Sequence, residues 1–235
     1  MRYTAPLIPA TLVRRYKRFL ADVILSSGEE ITVHTPNTGS MMGCSDPGSR
    51  IWLRDSNNPK RKYRYSWVMT QNSDGVLIGV DTALPNRLVA EAIENGTVEE
   101  LQDYDEIRHE VPYGKESSRI DLLLKGSDKS DCYIEIKNVT ASTEAGIAKF
   151  PDAVTKRGTK HLRELMEMVR QGDRAVIFYC VQRTDAQKFR PADEVDFEYG
   201  ETLREALASG VEALAYRAEI SEEGVSLMHA IPLQI

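Results

Sequence analysis

The chain has 235 residues, 41% of them hydrophobic and 28% charged, with 15 Gly and 10 Pro and a formal net charge of -6. That composition belongs to folded globular proteins and excludes disordered, collagenous and low-complexity ones. No apolar run approaches the ~18 residues of a membrane span, and the opening MRYTAPLIPATLV lacks the parts of a secretory signal, so a cytoplasmic protein with no membrane partner is expected.

Residues 1–80 hold 11 Lys and Arg against 6 Asp and Glu, a balance of +5, while the remaining 155 hold 19 against 30, a balance of -11. Such a split predicts two domains with different partners, at 1–81 and 82–235. In the first, β-type runs at 12–25, 30–34, 50–54, 64–70 and 76–80 alternate with turn-rich segments at 26–28, 35–48 and 55–59. About five strands in about 70 residues, with little helical periodicity, fit a compact barrel of the oligonucleotide-binding (OB) type.

Two basic stretches mark this barrel: Arg14, Arg15, Lys17 and Arg18 around Tyr16 and Phe19, then Lys60, Arg61, Lys62 and Arg64 around Tyr63, Tyr65 and Trp67. If the second stretch is extended, Lys60, Lys62 and Arg64 share one face and the three aromatics the other. Cations can neutralise phosphates and aromatic faces can stack bases. The same pattern also suits aromatics that fill a barrel and lysines that protect an edge strand. The three cysteines, Cys44, Cys132 and Cys180, are odd in number and irregularly spaced, which argues for a reducing compartment rather than a disulfide framework. His34 and Cys44 have no second pair at zinc spacing.

The second domain opens with a helical pattern at 85–95, with Leu88, Ala92 and Ile93 apolar, and a short strand at 110–113. Strand patterns at 119–124 and 132–139 then flank the polar turn 126–130. In a hairpin symmetric about Asp128, Asp121 lies opposite Glu135, with Cβ atoms about 4.5–5.5 Å apart. Lys137 follows on the same face as Glu135, and Ile134 and Ile136 point the other way. Two carboxylates so close repel unless a cation lies between them. Magnesium or manganese held by Asp121, Glu135, the Ile136 carbonyl and water would satisfy both. Lys137 would then stand beside metal-bound water, in a layout suited to phosphodiester cleavage. The competing reading makes Glu135 and Lys137 an exposed ion pair of little consequence.

Further on, the helix pattern at 155–171 sets Leu162, Leu165, Met166 and Val169 on one stripe, with Gly158 in line for a close approach to a strand. Arg157 and His161, at i and i+4, could reach a phosphate beside Lys160, or His161 could be a satisfied boundary histidine. An apolar strand at 175–181, a helix at 199–209 ended by Gly210, and strands at 211–220 and 225–233 complete a mixed α/β domain.

The residues Asp121, Glu135, Ile136 and Lys137 resemble the PD-(D/E)-x-K motif of restriction-endonuclease-like enzymes. Longer strings are more specific: TLVRRYKRFLADV from 11, HTPNTGSMMG from 34, SRIDLLL from 118, CYIEIKNVT from 132 and FPDAVTKRGTKHLRELMEM from 150. Together they are similar to the sugar fermentation stimulation protein A family over nearly the whole chain. The resemblance implies an OB-type barrel followed by a nuclease-like domain, DNA binding, and a part in regulating sugar (maltose) use in bacteria. It places the motif on Asp121, Glu135 and Lys137. Thr35 stands where the family usually has cysteine, and Lys156 where it often has an acid.

Two functions follow as expectations. In one, the barrel and its basic strips hold DNA or RNA between the domains while Asp121, Glu135 and Lys137 cut it, with Glu91 on the first helix as an extra metal ligand. In the other, the protein is a DNA-binding regulator and the nuclease-like domain is its scaffold. In both, the acidic second domain should repel a polyanion except near Lys137, Arg157, Lys160 and His161.

Overall fold

The computed structural model describes residues 1–115 and 118–235. Strands β1 (Ile8–Tyr16), β2 (Leu20–Leu25), β3 (Glu30–His34), β4 (Arg50–Asp55), β5 (Tyr65–Gln71) and β6 (Leu77–Gly79) form one sheet in the order β3-β2-β1-β4-β5-β6. A parallel bridge between His34 and Ser66 joins β3 to β5 and closes five of these strands into an OB-like barrel. Leu12, Val23, Val33, Ile51, Leu53 and Trp67 fill it.

Two local expectations change. The run 12–25 is a hairpin rather than one strand, and Lys17 and Arg18 form its tip with φ of 49° and 65°. Neither is a usual turn residue, so the sequence hid the reversal. The segment 60–64 precedes β5 as a loop, so its cations and aromatics do not alternate across a strand. Trp67 is fully buried and its indole N–H donates to the Met69 carbonyl at 3.0 Å, which makes it barrel core.

The α/β domain begins with α1 (Pro85–Glu94), followed by β7 (Glu106–Tyr113), β8 (Ser118–Lys125) and β9 (Cys132–Val139). After the short strands β10 (Ala141–Glu144) and β11 (Ile147–Phe150) come α2 (Lys156–Arg170), β12 (Arg174–Val181), β13 (Lys188–Pro191), α3 (Phe197–Ala208), β14 (Glu212–Ile220) and β15 (Val225–Ala230). The main sheet has the order β15-β14-β12-β9-β8-β7, with β12 parallel to both β9 and β14. A small sheet, β10-β11-β13, stands apart from it.

Alternate residues of β9 and β12 feed two cores. Ile134, Ile136, Val176 and Phe178 face α1, Leu88 and the barrel residue Trp52. Val139, Ile177 and Tyr179 face the α2 and α3 residues Leu162, Leu165, Tyr199 and Leu203. The central strands are therefore covered on both sides, as buried parallel strands must be.

Polar clamps fix the barrel to the α/β domain. Asp152 accepts from the Ser40 hydroxyl at 3.2 Å and the Met41 amide at 3.3 Å, while the Gly79 amide donates to the Gln182 carbonyl at 3.1 Å. The loop that reaches Asp152 is held from behind by Arg15, which donates to the carbonyls of Asn37 and Gly39 at 3.0 and 2.8 Å.

One carboxylate fixes both helices over the sheet. Asp196 accepts from the Tyr199 amide at 3.1 Å, which caps α3, and from the Thr155 amide at 2.7 Å. Thr155 in turn caps α2 by accepting from the Gly158 amide at 3.0 Å. Asp196→Ala removes a cap and leaves a second, half-buried amide without its acceptor, so an equilibrium urea titration should show a loss of about 2 kcal/mol, read as a lower midpoint at an unchanged slope.

Candidate functional site

The β8–β9 hairpin pairs Leu122 with Ile134, Leu123 with Tyr133 and Leu124 with Cys132, the register symmetric about Asp128 that the sequence predicts. Regular pairing ends there, one position short of Asp121 and Glu135. Instead of a ladder bond, the Asp121 side chain accepts from the Ile136 amide through Oδ2 at 2.7 Å. Its Oδ1 accepts from Asn86 Nδ2 at 2.9 Å, at the start of α1. Asp121 is therefore held where β8 and β9 part, with both oxygens fixed but each keeping a free lone pair.

Glu135 lies deeper, 3% exposed. Its Oε1 accepts from Lys137 Nζ at 2.7 Å and from His161 Nδ1, while its Oε2 is buried with no partner. The Lys137 side chain is only 11% exposed, so this is no exposed surface pair. Burial resists the charge on Glu135, but Lys137 and His161 outweigh it and hold the carboxyl below its usual range. Asp121 goes the other way: burial, and then the neighbouring Glu135 charge, push its pKa up to about 6. The pair is electrostatically unbalanced, with Asp121 bearing the cost.

Helix α2 lays His161 over Glu135, and Arg157 Nε donates to His161 Nε2 at 3.3 Å. Both ring nitrogens are thus engaged inside the protein. His161 does not reach outward for a phosphate, since the stripe that buries Leu162 and Leu165 turns it toward the sheet. Arg157 is exposed and Lys160 half-buried on the same helix.

Glu91 does not join the group. Five residues past Asn86, it is about 140° further round α1. Its Oε2 is 2.9 Å from the Met1 ammonium, which also donates to the Val225 carbonyl.

Two residues that the sequence did not point to stand at the site. Glu110 Oε1, on an exposed side chain, lies 3.5 Å from Asn86 Nδ2. It has φ of 52° within β7, at the position across from Asp121 where the pairing lapses between His109–Leu122 and Val111–Ile120 while the register stays the same on both sides. Tyr113 presents a buried hydroxyl with no partner. Burial, and then the charges of Glu135, Glu164 and Asp121, raise its pKa. Neither residue has a motif spacing, because both depend on how β7 pairs with β8.

Among the described residues, no three Asp, Glu, His or Cys side chains converge as a complete metal cage. Magnesium does not need one, since it keeps several waters and takes one or two carboxylates. Asp121 and Glu135 fit that demand, and the bare buried Oε2 of Glu135 is the kind of atom a cation would satisfy.

The barrel cations divide into two sets. Arg14 pairs with Asp22 at 2.8 Å, Arg64 with Asp55 at 2.5 Å, and Arg15 and Arg18 are spent on carbonyls of the 37–40 loop. Lys17, Lys60, Arg61 and Lys62 are exposed, with Lys62 over the Tyr63 ring and Arg61 3.4 Å from the Ser66 hydroxyl.

Comparison with known proteins agrees with the fold. A family model described as the SfsA N-terminal OB domain matches residues 13–80, and one described as the sugar fermentation stimulation protein RE domain matches residues 83–224. Sugar fermentation stimulation protein homologs from Geobacter metallireducens and Pelobacter propionicus are 58% identical over 233 residues and 60% identical over 228. The first alignment covers 99% of each chain and the second 97%. The solved structure of Pyrococcus furiosus SfsA in complex with Ca2+ superposes with a TM-score of 0.88 at 28% identity, covering 100% of this chain and 98% of that one. Barrel, α/β domain and sequence agree along nearly the whole length, and the chain belongs to the sugar fermentation stimulation protein family.

Proposed function

We propose that this protein binds DNA between its barrel and its α/β domain and hydrolyses a phosphodiester there with magnesium or manganese. The observation that carries the reading is the pair of carboxylates at the parting of β8 and β9, Glu135 buried with an unpartnered oxygen and Asp121 half-buried with a raised pKa. The Ca2+ in the P. furiosus relative supports it, since calcium also seeks oxygen ligands. A bound divalent cation supplies Lewis acidity and a more acidic water. Asp121 and Glu135 would hold it. Lys137, anchored on Glu135 Oε1, sets a positive charge next to the position a phosphate would take and can orient an attacking water. Arg157 and Lys160 line the approach, and Lys17, Lys60, Arg61 and Lys62 offer the barrel's cations to the backbone, for RNA as for DNA. The three free cysteines are all buried, as suits action in the cytoplasm.

A second reading is a DNA-binding regulator of sugar (maltose) use, with the carboxylates kept as an internal polar network. The satisfied hydrogen bonds of both Asp121 oxygens favour it. A nuclease assay with Mg2+ or Mn2+ on mixed DNA and RNA separates the two, because intact substrate with every metal, alongside salt-sensitive binding, leaves only the regulator.

DNA binding has its own test. The logarithm of the wild-type binding constant should fall linearly with the logarithm of salt, and Lys60→Gln with Lys62→Gln should reduce that slope by about 2, one per lost cation. A slope equal to wild type would remove the barrel loop from the interface.

A further inference from the structure

We infer that His161 is a positioning residue which, aligned by Arg157, holds Glu135 so that its second oxygen is kept for a divalent cation. The inference rests on the metal reading above and adds the device that orients the ligand.

Hydrogen-bond direction decides the roles. Arg157 Nε can only donate, so His161 Nε2, 3.3 Å away, accepts and carries no proton. The imidazole proton then sits on Nδ1 and is donated to Glu135 Oε1. Lys137 Nζ lies 3.4 Å from the same Nδ1. Since both are donors in this arrangement, Lys137 is directed to Glu135 Oε1 as well, at 2.7 Å. Two donors converge on one oxygen. The other, Oε2, is left bare inside the protein, where an unmet acceptor is costly without a ligand.

The ring has little freedom to do anything else. His161 is 3% exposed, and Leu162 and Leu165 beside it are completely buried in the core under α2. Gly158 lets that helix seat close to α3: a Cβ there would lie 3.1 Å from Tyr199 Cε2. A histidine serving only to fill the core would not need an arginine on one nitrogen and a buried carboxylate on the other. Outer partners that orient a metal-binding carboxylate typically change metal affinity 10–100-fold when removed.

The test is Mn2+ titration by calorimetry on the full chain, comparing wild type with His161→Leu and His161→Asn, with a melting temperature for each. Leucine fills the volume and lacks a donor, whereas the asparagine amide can place an N–H near the Nδ1 position. His161→Leu should bind Mn2+ about 10–100-fold more weakly than wild type, and His161→Asn should recover most of that loss. A purely structural role predicts instead that affinity follows melting temperature and ignores the Asn/Leu difference. If His161→Leu does not fold, Arg157→Ala, on an exposed side chain, carries the test and should also weaken Mn2+ binding. Wild-type affinity in a folded His161→Leu, or in Arg157→Ala when it stands in, overturns the inference and leaves the metal site intact. A wild-type protein that takes up no Mn2+ overturns both.

Discussion

Asp121→Asn is expected to weaken divalent-cation binding severely while making the metal-free protein more stable at neutral pH. The two effects have one source. In the metal-free protein, burial and the Glu135 charge hold Asp121 at a pKa of about 6 against an ordinary value of 3.8. A raised acid pKa means that the folded state binds the proton more tightly than the unfolded one. Stability therefore rises as pH falls from about 6 toward 3.8, and the charged Asp121 lowers stability above that window by up to about 3 kcal/mol. Asparagine is near-isosteric and uncharged. It can keep one acceptor for the Ile136 amide or Asn86 and relieves the repulsion, so the variant should melt higher at pH 7.5 and lose the dependence between pH 4 and 6. Losing one of two carboxylates should weaken Mg2+ or Mn2+ binding about 100-fold or more. Thermal melts across pH, with and without metal, check both halves; a lower melting temperature at pH 7.5 would contradict the electrostatic account.

Glu135→Ala should have the opposite effect on folding. Its removal leaves Lys137, 11% exposed, without its counter-ion and His161 Nδ1–H without an acceptor. Breaking a buried pair from one side typically costs about 3–5 kcal/mol, and relief of the Asp121 repulsion places this variant at the lower end. Replacing the pair together, as Glu135→Met with Lys137→Met, should recover much of the loss, because both desolvation penalties vanish along with the attraction. Denaturant titration of the single and double variants measures the difference. A double variant less stable than the single one would show that the pair itself stabilises the fold.

Much of the architecture was open to reading because it depends on local periodicity. The hairpin register followed from a polar turn centred on Asp128 and a side-chain period of two, which together leave one pairing that buries Leu122, Ile134 and Leu124 on one face. Helix α2 was legible from its apolar stripe. The tip at Lys17 and Arg18 was not, since no Gly, Asn or Pro marks a turn there. The loop at 60–64 was missed for a related reason: alternating cations and aromatics look the same in a strand and in a loop before one.

At the site, the motif residues Asp121, Glu135 and Lys137 were legible as a short, spaced set. The place of Glu110 beside Asn86 was not. Glu91 and Glu110 both lie within reach in sequence, but the phase of α1 turns Glu91 toward the chain's own ammonium group, while the pairing of β7 with β8 sets Glu110 across from Asp121 and beside Asn86. His161 was legible as a residue on the right helix, and its direction became clear only from the packing of α2 over β9.

Metal-dependent hydrolysis requires that Asp121 and Glu135 hold a divalent cation together. Calorimetric titration of Mn2+ into the wild-type protein, Asp121→Asn and Glu135→Gln at pH 7.5 tests this most directly. Saturable binding by wild type, lost in both variants while each remains folded, is the expected result; no binding by wild type, or binding that survives both substitutions, would contradict it.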